Sequence, residues 1–117
     1  MPAVDHYDSL YQSFRWLVPE DCNIAQLCCG RWAAHPEHAQ RSAIVVDDAI
    51  DGPRTISYAM LQRDANRLSH VLRSLGVQVG TRVALLMPQR PEVAVAHISC
   101  QQLGARSEEH TSELQSR

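Results

Sequence analysis

The sequence predicts an α/β fold that stops after its second long helix, and three observations carry that expectation. Leu61, Ala65, Leu68, Leu72 and Leu75 recur at helical spacing. Residues 82–87 (RVALLM) form a short continuous apolar run that suits a parallel-sheet strand buried on both faces. Residues 91–103 open on Pro91, which suits a first helical position, and close on Gly104. Strand and helix alternating in this way point to helices layered on a parallel sheet. With 117 residues there is room for one domain or part of one, at about 100–200 residues per domain.

The elements follow in order. Residues 1–22 form an aromatic arm: Tyr7, Tyr11, Phe14 and Trp16 have loosely helical spacing, ended by Pro19, and are expected to pack on a body. Asn23 is a good cap for a helix of about three turns that runs through Leu27 and Trp32 and ends before Pro36. Residues 42–46 (SAIVV) are β-branched and are followed by Asp47, Asp48 and Asp51-Gly52-Pro53, after which residues 54–57 (RTIS) resume strand character. That is a hairpin. Ser57 is the expected cap of the leucine-patterned helix and Gly76 its stop. A helix closed by Gly104 should feed another parallel strand. Residues 106–117 (RSEEHTSELQSR) offer one aliphatic residue, Leu114, so that strand is expected to be absent and the composition to break at Ala105.

Composition excludes several functions. The net charge is −2 and the basic residues are scattered, which leaves no electrostatic footprint for a nucleic acid. No apolar run reaches the roughly 18 residues of a membrane span, and the acidic start MPAVDHYDSL lacks the features of a signal peptide, so a cytoplasmic protein is expected. In that compartment the four cysteines should be thiols. All 11 basic residues are arginine, so chemistry that needs a lysine amine must find it elsewhere.

From Tyr11 to Ala105 a series of short motifs stands in order: Phe14-Arg15-Trp16 with Val18-Pro19-Glu20, Asn23-Ile24-Ala25, Arg31-Trp32-Ala33, Thr55-Ile56-Ser57-Tyr58 and Ala65-Asn66-Arg67-Leu68, then Leu75-Gly76-Val77, Gly80-Thr81-Arg82-Val83-Ala84, Pro88-Gln89-Arg90-Pro91-Glu92 and Leu103-Gly104-Ala105. Together they resemble the N-terminal part of AMP-forming acyl-CoA synthetases of the adenylate-forming superfamily. The resemblance implies that residues 23–105 are the start of the AMP-binding (adenylation) domain, truncated, with the hairpin and the helix-strand-helix of a parallel sheet. It implies a parent enzyme that uses ATP, Mg and coenzyme A to convert a small carboxylic acid into its acyl-CoA through an acyl-adenylate. Residues 106–117 resemble the translation of a short-read sequencing adapter and are expected to be a non-biological tail.

Adenylyl transfer is catalysed by positioning and charge stabilisation around the phosphates. Family members supply this with a Ser/Thr/Gly-rich loop ending in lysine, with downstream acidic residues and with a second lysine, and this sequence matches none of them. No catalytic, cofactor-binding or metal residue is therefore assigned, and the chain itself is expected to be inactive and to bind no cofactor. The residues alone also allow a second reading, a small non-catalytic α/β module that binds a protein partner through its aromatic arm and unpaired sheet edge.

Other constellations have simpler structural explanations. Cys22, Cys28, Cys29, His35 and His38 suggest zinc, but their gaps miss the usual C-x2-4-C and H-x3-5-H spacings, and adjacent cysteines on a helix point about 100° apart. Gly76-Val77-Gln78-Val79-Gly80 follows a helix and opens a strand, the reverse of a dinucleotide fingerprint. Pro88-Gln89-Arg90-Pro91 lies at a strand's C-terminal end, where α/β proteins bind ligands, yet it has no glycine and prolines remove its amides. His97 has no partner motif and is expected to be packed or half-exposed.

Overall fold

The protein is described by a computed structural model over residues 3–109. Of the expected tail, residues 110–117 lie outside the described residues.

Helix α1 spans Tyr7–Ser13. Tyr7 stacks on Tyr11 with ring centroids 6.0 Å apart, and Phe14 meets Trp16 edge-on at 5.0 Å. The arm does not pack on the body as its aromatic spacing suggested, for Tyr11 and Trp16 remain 74% and 82% exposed. Helical spacing defines an apolar face, and the described residues provide no surface that covers this one.

Asn23 caps the next helical run as expected: its Oδ1 accepts from the Ala25 N–H at 2.9 Å, while its Nδ2 donates to the Gln101 carbonyl at 2.9 Å. The run is not one regular helix. A π-helical segment, Gln26–Gly30, leads into the short α2, Arg31–Ala34. Cys29 is buried and Cys28 exposed, as the angular separation of neighbours on a helix requires.

Strands β1 (Ser42–Asp48) and β2 (Gly52–Ser57) form the expected antiparallel hairpin, with Ile44 opposite Ile56 and Asp47 opposite Pro53. Pro53 is tolerated because this sheet has two strands, so neither needs a donor on its outer side. At the turn, the Asp48 carboxylate accepts from the N–H groups of Ile50 at 2.8 Å and Asp51 at 3.4 Å.

Helix α3 (Tyr58–Ser74) starts at Ser57, whose Oγ accepts from the Met60 N–H at 3.2 Å. Its stop is a Schellman closure: the Gly76 N–H donates to Arg73 O and the Val77 N–H to Leu72 O, both at 3.0 Å, with Gly76 at φ +95°. Helix α4 (Pro91–Gln102) has proline in its first turn and the same closure at Gly104. Ala25, Cys29, Leu61, Ala65 and Ile98 form the core, against which Ile44 and Ile56 of the hairpin pack.

Two expectations about the sheet are corrected. Strand β3 is Arg82–Leu85 rather than 82–87, and it is not buried on both faces: Leu85 is buried, while Arg82 and Ala84 are exposed. One face lies towards α4 and the other is uncovered among the described residues. The strand expected to be absent is present. β4 (Arg106–Glu109) pairs parallel with β3, with Arg82 opposite Arg106 and Leu85 opposite Glu109. Parallel pairing uses main-chain N–H and C=O groups, so a polar segment can form it provided its side chains reach water, and Arg106 and Glu108 are exposed.

Candidate functional site

A cleft of about 550 Å³, open to solvent, lies between the hairpin and α4. One wall is β1, from Ile44 to Asp47. The other is the turn Gln89-Arg90-Pro91 with Val93, Ala94 and His97 of α4. The strand-to-helix turn that the sequence placed where α/β proteins bind ligands thus does line a cleft, beyond the C-terminal end of β3.

The cleft's groups are modest for phosphate chemistry. Pro91 has no amide and the Val93 N–H is bonded to Arg90 O at 3.1 Å, so two of the first three amides of α4 are withdrawn from any anion. The cation at the turn, Arg90, lies 3.6 Å from Glu92, and both side chains are more than half exposed. Across the cleft Asp47 adds a carboxylate. A magnesium-bound triphosphate needs several cations and a backbone cradle. The residues of this cleft do not fit that group.

His97 is half-buried, and its Nδ1 lies 2.9 Å from Ser107 Oγ. The sequence showed no partner for it, because Ser107 comes from a segment that was not expected to join the fold. The contact links α4 to β4. The Gly76–Gly80 segment is a helix stop and turn, as expected: Gly80 has φ +84° and donates its N–H to Gly104 O at 2.9 Å.

The cysteine cluster does not assemble. Cys22 and Cys28 are exposed, whereas Cys29 is buried with its thiol directed at Tyr58 O, 3.9 Å away. Burial first, and the neighbouring Cys28 second, push the Cys29 pKa up. Burial does the same for Cys100. The structure instead groups His35 and His38 with Glu37, a carboxylate that sequence spacing did not single out. The pattern H-x-E-H was its only signal, and that is a weak one without the turn that gathers it.

The family model for AMP-binding enzymes matches residues 31–107, from α2 into β4. The chain belongs to the AMP-binding enzyme family. Acetyl-coenzyme A synthetase from Yersinia pestis is 36% identical to this family member over 100 residues, which make up 85% of the chain and 15% of the relative. Acetyl-coenzyme A synthetase from Xanthobacter autotrophicus is 36% identical over 101 residues, with the same coverage. The chain therefore spans about 15% of the length of these curated relatives. Among solved structures, that of CmiS6 superposes with a TM-score of 0.65 at 27% identity, covering 84% of this AMP-binding family chain and 24% of that one. No helix among the described residues is long and apolar enough to cross a membrane.

Proposed function

We propose that this chain is an N-terminal portion of an AMP-forming acid–thiol ligase, and that the parent enzyme acts in the cytoplasm on a small carboxylic acid. In the parent reaction the carboxylate attacks the α-phosphorus of ATP and pyrophosphate leaves. The coenzyme A thiol then attacks the acyl carbon and AMP leaves, giving acyl-CoA, with Mg neutralising phosphate charge when bound. The observation that carries this reading is the match of the AMP-binding family model to residues 31–107, the residues that build the hairpin, α3, β3, α4 and the first half of β4.

On this reading the chain contributes packing and no chemistry: it has no lysine, and the amide-poor turn at Arg90 and Pro91 cannot cradle a triphosphate. The final residues are read as an adapter-derived end to the coding sequence. Two experiments test this. Resequencing the source DNA across the codon for Ala105 should show a reading frame that continues into a Ser/Thr/Gly-rich loop ending in lysine. A genomic stop after Arg117 would overturn the proposal. Pyrophosphate release from ATP with short-chain acids should stay at background for the 117-residue chain and appear with the extended product.

A further inference from the structure

Away from the cleft, the turn between α2 and β1 brings three metal-capable side chains to one place. His35, Glu37 and His38 each present one ligand atom, and these atoms lie within 4.8 Å of one another. The backbone produces the arrangement. The N–H groups of His38 and Ala39 both donate to the His35 carbonyl, at 3.0 and 2.9 Å, so the chain curls and residues three apart share a side. Pro36 holds its own φ fixed within that curl. The turn is also tied to the body: the Ala39 carbonyl accepts from the Ala59 N–H at 2.9 Å, and the Arg41 carbonyl accepts from the Tyr58 N–H at 3.1 Å.

The rings are held as well. The two imidazole centroids are 4.5 Å apart, and Trp32 meets the His38 ring edge-on at 5.2 Å. The Glu37 N–H donates to His35 Nδ1 at 3.2 Å, a long hydrogen bond that ligation through this nitrogen must break. Two imidazole nitrogens and one carboxylate oxygen suit zinc-like ions, whereas Mg and Ca prefer all-oxygen sets.

We propose that His35, Glu37 and His38 form a surface site for a zinc-like divalent cation, with solvent completing its coordination. The site does not depend on the ligase reading, because it uses none of the residues of the cleft.

The test uses the full chain with Cys22→Ser and Cys28→Ser, since exposed thiols would compete for the ion. Titration with Zn²⁺, followed by calorimetry, should show one equivalent bound in the micromolar range, and Co²⁺ should give ligand-field absorption. His35→Ala and His38→Ala should each weaken binding by more than about 10-fold, the scale on which even an outer-shell partner is felt. Glu37→Gln should also weaken it, and His70→Ala should leave it unchanged. In the chain that keeps all its histidines, added Zn²⁺ should move the imidazole proton resonances of His35 and His38 alone. Absence of one-to-one binding would overturn the proposal, as would binding that survives His35→Ala and His38→Ala or shifts centred on other histidines.

Discussion

The hydroxyl of Ser99, fully buried on α4, donates at 3.0 Å to the carbonyl of Ala65, itself fully buried on α3. The same hydroxyl lies 2.7 Å from Val95 O, so one proton serves two acceptors. Small residues on both sides let the two backbones approach. Ser99→Ala removes one hydrogen bond without creating a clash and should cost about 0.5–1.5 kcal/mol. Ser99→Leu must force the helices apart and should cost about 1–3 kcal/mol or more. Urea unfolding of the two variants checks both the sign and the order.

Two glycines should respond in opposite directions to alanine. Gly30 has helical angles, φ −56° and ψ −47°, and an added Cβ would meet only the end of the flexible Gln26 side chain. Gly30→Ala should therefore stabilise by about 0.5–1 kcal/mol. Gly76 has open space around it but sits at φ +95°. Gly76→Ala should destabilise by about 1–2 kcal/mol through backbone strain alone. Thermal melts that shifted the same way for both would contradict this assignment.

Thiol reactivity should divide the cysteines into pairs. Cys22 and Cys28 are exposed and should react with a disulfide reagent at once, while Cys29 and Cys100 should wait for unfolding. The buried pair also sets a pH trend. Unfolded thiols ionise near 9.0, whereas burial keeps the native ones protonated to higher pH. The unfolded chain thus binds fewer protons above 9.0, and stability should fall as pH rises through that region towards the raised native values. Urea midpoints measured on either side of 9.0 test the sign, and replacing Cys29 and Cys100 with alanine should flatten the trend.

The hairpin turn should loosen in acid. The backbone N–H groups of Ile50 and then Asp51 hold the Asp48 carboxyl below its ordinary value of 3.8. Its contribution is present above 3.8 and is lost as pH falls through the lowered native value. The Ile50 and Asp51 amide resonances should follow that titration. Asp48→Asn should keep the turn, since its Oδ1 still accepts, but abolish the acid dependence.

Much of the body was legible because its signals are local. Ser57 at the start of α3, Gly76 and Gly104 at the helix ends, Pro91 in the first turn of α4 and the leucine spacing between them each act within a turn or two of chain. The arm was legible as a helix but not in its surroundings, since the spacing of Tyr7 and Tyr11 says nothing about what lies opposite. Strand β4 was not legible, because residues 106–109 lack the side chains that mark a strand and are placed by their main chain. At the site, the position of the Arg90 turn beyond a strand end could be read in advance. The grouping of Glu37 with two histidines could not, since it depends on a curl of backbone that only the folded turn reveals.

The pairing of β4 with β3 has a consequence for information. Because the strand is recruited through its peptide groups, with the Arg106 side chain exposed, the fold addresses this segment by its position along the chain rather than by its spelling. A library randomised at Arg106 should leave the body almost unchanged, while Ser107 would report its contact with His97.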